Sequence, residues 1–232
     1  MLYIVATPIG NLEDITLRAL RVLGEVDFIA AEDTRETRKL LFKYKIKKPL
    51  FSYYKDNERK MAGKILQLLK EGRKIALVSD RGTPGISDPA YLLVKLVREA
   101  KIPVASIPGA CAITAALSVC GLPTTNFTFL GFLPRKRGKR RRLLEELSRR
   151  CETVIFYESP YRILSLLKEL REIFGERRAT ICRELTKKFE EVIYGSISEL
   201  LKIYEQKKPK GEFVIIVEGN KEKCRASSAT TI

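Results

Sequence analysis

Short apolar strands that do not alternate, each followed by an amphipathic helix, predict an α/β fold whose N-terminal sheet is mostly parallel and covered on both faces. The pattern changes past residue 120, where RATICREL and EEVIYG lie close enough to pair antiparallel, so a second domain with a mixed sheet is expected. At 232 residues and 45% hydrophobic content the chain can fill two cores. The expected divisions are residues 1–120, 121–220 and a frayed tail, 221–232, where KEKCRASSATTI has no apolar periodicity. Leu122–Asn126 is the expected connection.

In order, LYIVA (2–6) reads as a buried strand, and Thr16 caps the helix TLRALRVLGEV, on which Leu17, Leu20 and Leu23 share a face. VDFIAA is a strand, residues 34–42 a helix, LFSYY a short strand, and residues 58–70 a helix ending at Gly72. KIALVS is the clearest strand of the first half. Asp88 is placed to cap the helix PAYLLVKLVREA, with Pro89 in its first turn. IPVASI then forms a strand and ACAITAALSVCG a helix that stops at Gly121. FTFLGFL (127–133), a charged helix, the strand TVIFYE and a helix over 161–174 lead into the antiparallel pair. A helix over 197–204 and the closing strand EFVIIVEG complete the second domain.

The chain carries 44 Lys and Arg against 28 Asp and Glu, a formal charge of +16. Such an excess favours a polyanionic partner, RNA or DNA, with a basic thermophile surface as the plain alternative. With no histidine and no CxxC pair, a zinc site or a Ser-His or Cys-His nucleophile lacks its usual parts. Proton transfer falls to carboxylates, Lys, Tyr or water. Cys111, Cys120, Cys151, Cys182 and Cys224 read as reduced thiols of a cytoplasmic protein. No stretch approaches the ~20 apolar residues of a membrane span, and MLYIVATPIGN reads as a strand rather than a secretory signal.

The turn TPIGN lacks the GxGxxG spacing of dinucleotide folds, and no GxxxxGK[ST] occurs. SDRGTPGISDP (79–89) is the more informative loop. It leaves the carboxyl end of KIALVS with Asp80 first, Gly82 and Gly85 able to take positive φ, and Pro84 and Pro89 fixing direction. Strand carboxyl ends in open α/β sheets are ligand positions, although a plain turn is the alternative. In RKRGKRRR (135–142) every residue but Gly138 is basic. Charge runs are usually solvated faces, but repulsion among so many cations favours a surface that meets a polyanion.

ATPIGNLEDIT (6–16), AAEDTR (30–35), SDRGTPGISDP, IPGACA (107–112), GFLP (131–134), FYESPYR (156–162), RELTK (183–187) and KGEFVIIVEG (210–219) occur in this order over nearly the whole chain. Together they closely resemble the small-subunit ribosomal RNA ribose methyltransferases of the tetrapyrrole methylase superfamily. The resemblance implies S-adenosylmethionine as methyl donor, bound in a cleft between two α/β domains. It further implies methylation of the ribose 2′-hydroxyl of a decoding-centre cytidine in 16S rRNA, on free RNA or the small ribosomal subunit, by a homodimer. By the superfamily's pattern, Asp80 faces the cofactor's cationic groups and backbone around Gly82, Thr83 and Ile86 hydrogen-bonds the rest. Pro8, Ser79, Cys111 and Ala112 line the same pocket, and Phe156, Tyr157, Glu212 and Phe213 come from the second domain. Core packing is the alternative for Phe156 and Tyr157, and ordinary structure for Cys111 and Ala112.

Glu32, Asp33, Glu158 and Lys187 are the candidates for removing the hydroxyl proton. Helix capping is the alternative for Glu32 and Asp33, and an internal ion pair for Glu158 with Arg162. Arg35 and Arg162 suit phosphate, and Arg135, Lys136, Arg137, Lys139, Arg140, Arg141 and Arg142 form the expected RNA-binding arm. Arg81 stands where relatives commonly carry a small residue, so it either crowds the pocket or points outward to RNA. YYKDNE (53–58) lacks the histidine that relatives often place there, and no counterpart is expected here of their small helical segment after the last strand. Other readings are a superfamily enzyme acting on a tetrapyrrole or on the diphthamide precursor of a translation factor, and a non-catalytic RNA-binding assembly factor.

Overall fold

Strands of three or four residues suffice for the first sheet because helices cover both of its faces. β1 (Leu2–Val5), β2 (Phe28–Ala31), β3 (Leu50–Ser52), β4 (Ile75–Val78) and β5 (Val104–Ile107) run parallel in the order β3-β2-β4-β1-β5. The structure, a computed structural model, describes residues 1–220 and divides into two units, Met1–Cys111 and Ala112 onward. The expected tail and Cys224 lie outside the described residues. Among those described, no helix is long and apolar enough to cross a membrane, and no disulfide joins Cys111, Cys120, Cys151 and Cys182 to one another.

Helices α1 (Leu17–Glu25) and α2 (Thr34–Lys43) pack Ala19, Val22, Leu23, Leu40 and Leu41 onto one face of the sheet. Helices α3 (Glu58–Lys70) and α4 (Tyr91–Glu99) pack Ala62, Ile65, Leu69, Leu93 and Val97 onto the other. Right-handed crossovers dictate this division, because the chain steps one way along the sheet from β1 through β3 and the other way from β3 through β5. Central β4, buried at all four residues, is therefore flanked by β1 and β2, whose connections leave over the face opposite its own. Its carboxyl end is a switch point where a crevice forms.

Thr16 caps α1 as expected, accepting from the Ala19 N–H at 3.0 Å. The buried stripe of that helix runs through Ala19, Val22 and Leu23, and Leu17 is exposed rather than sharing it. Asp88 does not cap α4, which begins after Ala90 without a side-chain cap; its carboxyl is held instead by Ser79.

In the second unit, α5 (Ala112–Val119), β6 (Phe127–Phe132), α6 (Arg137–Leu147), β7 (Thr153–Glu158) and α7 (Ile163–Phe174) precede β8 (Arg178–Arg183), β9 (Glu191–Ser196), α8 (Ile197–Glu205) and β10 (Phe213–Val217). The sheet order is β6-β7-β10-β8-β9, with β6–β7 parallel and every other pair antiparallel, the expected mixed sheet. RATICREL and EEVIYG pair as expected, Arg178 opposite Ser196 through Arg183 opposite Glu191. Helices α6, α7 and α8 cover one face. The small-residue helix α5 belongs with this unit, earlier than the expected division at 120, because it packs on β10 and the Thr180 hydroxyl donates to the Cys120 carbonyl just past its end at 2.6 Å.

One arginine of the basic run is part of this core. Arg140 precedes Leu144 and Leu147 by four and seven residues, so the 3.6-residue period turns it inward. It is 6% exposed, and its Nε and Nη2 donate to Glu169 of α7 at 2.8 and 2.7 Å. The expectation that Arg140 binds RNA is thereby corrected, since both faces of its fork are spent on a buried carboxylate. That hydrogen-bonded pairing holds the Glu169 carboxyl below its ordinary range. The stabilisation is therefore complete above the unfolded glutamate value and lost as pH falls through the folded one. Replacing Arg140 by Met is expected to cost about 3–5 kcal/mol at pH 7 by stranding Glu169. Urea unfolding should show that Arg140→Met with Glu169→Leu recovers most of this loss, and that the double variant loses less stability than the parent between pH 6 and pH 3.

Candidate functional site

The carboxyl ends of β1, β2, β4 and β5 bring the expected loops of the first unit together. Thr7, two residues past β1, and Gly82, in the bend after β4, exchange backbone hydrogen bonds at 2.9 and 3.0 Å. The Thr7 hydroxyl donates to the Ser79 carbonyl at 3.1 Å, and the Ser79 hydroxyl to the Gly82 carbonyl at 3.2 Å. Thr83 ties the bend to the loop after β5 by donating to the Ala110 carbonyl at 3.2 Å, one residue before Cys111. Gly82 has φ +80°, and a Cβ there would come within 3.2 Å of the Ile9 side chain, so only glycine fits this joint without strain.

Pro8 follows Thr7 directly and is buried, while Gly85 and Ile86 reach the surface. Arg81 is exposed, and its charge acts on the Asp80 carboxyl beside it. Thr7 and Asp88 were not among the expected site residues. A buried threonine just after a strand is the only sequence signal for the first, and Asp88 was hidden by its resemblance to a helix cap.

The bend concentrates negative charge. Asp80 accepts from the Asp33 N–H at 2.8 Å, which joins the β2 and β4 loops. Burial raises the Glu32 carboxyl above its ordinary range, and the charges of Asp88 and Asp80 add to it. Asp80 and Asp88 are raised for the same first reason, burial, reinforced by neighbouring carboxylates. Asp33 behaves in the opposite way: it caps α2, accepting from the Arg35 N–H at 2.8 Å, and receives the Arg35 guanidinium at 2.6–3.1 Å. Those bonds lower its carboxyl to about 2. The expected phosphate ligand Arg35 is thus engaged by its neighbour. Three partly buried carboxyls above their ordinary range thus gather around a bend whose backbone is fixed by the Thr7–Gly82 bridge.

The second unit sorts the remaining expected residues. Phe156 is fully buried and Phe213 nearly so, Phe213 edge-on to Tyr204 with centroids 5.7 Å apart. Their side chains are core, which corrects their expected role as pocket lining. Tyr157 is on the opposite side of β7, partly exposed, its ring meeting Phe129 and Phe132 at 5.0 and 5.6 Å. Glu158 is sealed from solvent and receives Arg162 at 2.7 Å and the Ser159 N–H at 2.6 Å, while Arg162 also donates to the Leu133 carbonyl at 3.2 Å. This is the internal ion pair, not an accessible base. Lys187 lies between Glu184 and Glu212 at 2.8 and 2.9 Å. The same segment holds Glu184 and Thr186 at φ +51° and +65°, so Lys187 ties a strained turn to the start of β10. Ala112 opens α5 and is partly exposed.

The basic run divides into spent and unspent cations. Besides Arg140, Arg141 reaches Glu145 and Glu172 at 3.0 Å each, and Arg137 reaches Glu169 at 3.6 Å. Arg135, Lys136, Lys139 and Arg142 are exposed and, among the described residues, have no carboxylate within 4.0 Å.

Comparison with known proteins agrees with this geometry. Residues 1–201 match the family model "Tetrapyrrole (Corrin/Porphyrin) Methylases". A protein of Thermotoga maritima named ribosomal RNA small subunit methyltransferase I is 51% identical over 218 residues, covering 94% of this chain and 98% of that one. Its namesake in Bacillus subtilis is 47% identical over 220 residues, covering 95% of this chain and 75% of that one. Among solved structures, the cobalamin biosynthetic enzyme cobalt precorrin-4 methyltransferase superposes with a TM-score of 0.69 at 17% identity, covering 94% of each chain. The two units, their parallel and mixed sheets and the match along most of the chain place this protein in the tetrapyrrole methylase family.

Proposed function

We propose that this protein methylates a ribose 2′-hydroxyl of small-subunit ribosomal RNA, at a decoding-centre cytidine, with S-adenosylmethionine as the methyl donor. The observation that carries the reading is the pinned glycine bend after β4, set among carboxyls raised by burial, in a chain 51% identical to a ribosomal RNA small subunit methyltransferase. The residues fit the donor: Asp80 and Asp88, both partly buried at the bend, supply negative charge for a bound ammonium or sulfonium. When bound, S-adenosylmethionine supplies an electrophilic methyl group on a good leaving group.

The protein's own residues then have distinct tasks. Ser79, Thr7 and Thr83 hold the bend still, which aligns whatever rests on it. Glu32 is the proton acceptor in this reading, because its raised carboxyl is better matched to accepting a hydroxyl proton than Asp33, lowered to about 2. Arg135, Lys136, Lys139 and Arg142 hold phosphates. The enzyme acts as a homodimer in the cytoplasm in this reading.

Tritium transfer from labelled donor into small subunits or free rRNA tests the reaction. Label in a dinucleotide that resists alkaline cleavage places the methyl on the 2′-oxygen, and absence of label from both substrates would overturn the function. Asp80→Asn should weaken S-adenosylmethionine binding about 10- to 100-fold by calorimetry, the loss of one charge-assisted contact. The raised Asp80 carboxyl penalises folding above its folded pKa and not below its unfolded one, so the same variant should raise the Tm at pH 7.5. Wild-type affinity should fall as acidification protonates the raised carboxyls, and fall less in the variant. Replacing Arg135, Lys136, Lys139 and Arg142 by Ala should flatten the salt dependence of RNA binding by up to about 0.7 in slope per phosphate contact, leaving donor affinity unchanged.

A further inference from the structure

Strand β6 contains an extra residue. Phe129 pairs with Ile155, but the next registered partner of Tyr157 is Phe132, so three steps on β6 match two on β7. Gly131, at φ +62°, absorbs the bulge. Its effect follows from the period of two. In an unbroken strand Phe132 would fall on the Leu130 side, which packs against the core of the unit. The bulge carries Phe132 onto the outer face with Phe129 and Tyr157, 59% exposed, and gives Leu133 the buried position.

A second ring is presented nearby by an equally fixed device. Tyr161 is 95% exposed in the turn 159–162, which is closed by the Arg162 N–H on the Ser159 carbonyl at 3.1 Å. The Arg162 side chain ties that turn to the end of β7 through Glu158 at 2.7 Å and to the end of β6 through the carbonyl of Leu133, the residue after Phe132, at 3.2 Å. Two exposed rings are thus braced against each other's supports, and the chain continues from Leu133 through Pro134 directly into the unspent cations Arg135, Lys136 and Lys139. A bulge that moves a phenylalanine out of a core sacrifices burial, so the exposed position calls for a partner with flat faces, and the adjoining charge calls for an anionic one.

We infer that Phe132 and Tyr161 form a stacking platform for unpaired bases of an RNA strand whose phosphates lie on Arg135, Lys136, Lys139 and Arg142; the inference rests on the RNA reading given above. Single-stranded rather than duplex RNA is the occupant, because only unpaired bases offer faces to exposed rings. Rigid support matters here: neither ring needs ordering at the moment of binding.

The test is fluorescence anisotropy with a labelled 12-nucleotide single strand and a duplex of the same length, on the full chain. Phe132→Ala and Tyr161→Ala should each weaken single-strand binding by about tenfold, with the slope against salt unchanged and duplex binding barely altered. Phe132→Tyr should retain the affinity, since it keeps a ring. Unchanged single-strand affinity in both alanine variants, or equal loss for single strand and duplex, would overturn the platform while leaving the proposed reaction standing. Light scattering that shows either alanine variant breaking a larger species into a smaller one would overturn it too, by revealing a surface for a second copy. A wild-type protein that binds neither RNA would overturn both the platform and the RNA reading.

Discussion

The reciprocal backbone bridge between Thr7 and Gly82 is the contact on which the site depends. Two loops that follow neighbouring strands would otherwise diverge, because one leads to a helix on the upper face of the sheet and the other to a helix on the lower. A pair of hydrogen bonds at 2.9 and 3.0 Å closes the crevice floor at that divergence. The bridge needs a residue with positive φ and no Cβ at position 82, and a buried hydroxyl at position 7 to satisfy the carbonyl of Ser79. From this fixed point the other site groups follow: Asp80 is turned to the β2 loop, and Thr83 to the loop after β5.

That arrangement works against stability. Glu32, Asp80 and Asp88 are raised first by burial and then by neighbouring carboxylates, so the loops concentrate like charges that oppose one another. The protein tolerates this because the bend is anchored by neutral hydrogen bonds and β4, the strand that leads into it, is buried at all four residues. Asp33 shows the contrast within the same loop: two residues from Arg35 and serving as a helix cap, it is a stabilised carboxylate and a poor proton acceptor.

Much of this was legible in the sequence, for identifiable reasons. KIALVS read as a buried strand because a doubly covered strand has no polar face, and SDRGTPGISDP drew attention as a loop because two glycines, two prolines and two aspartates follow a strand's carboxyl end, although a plain turn has the same composition. Motif order carried the family. What the residues concealed was side-chain direction. FYES looked like pocket lining, but the period of two sends Phe156 into the core and Tyr157 outward. Asp88 looked like a cap because capping is a local signal, whereas its bond to Ser79 depends on where the sheet places the preceding strand. The division near residue 112 was invisible for a similar reason: α5 is a helix of small residues whose allegiance is settled only by packing on β10.

The basic run shows how composition and periodicity must be read together. As composition, seven cations in eight positions are one polyanion-binding patch. As a helix, the same run has a buried face, and Arg140 stands on it in phase with Leu144 and Leu147. The complementary signal was present in α7, where Glu169 interrupts an otherwise apolar stripe through Ile163, Leu166, Leu167, Leu170 and Phe174. A carboxylate on the buried face of one helix and a guanidinium on the buried face of another have little choice but to meet, because either alone would carry an uncompensated charge into the core. This pair fixes α6 against α7, and the fixed helix in turn sets where the exposed cations stand. The net charge of +16 thus performs two physically different tasks: part of it is consumed inside ion pairs that build the scaffold, and the remainder is displayed by that scaffold at a defined edge of the sheet.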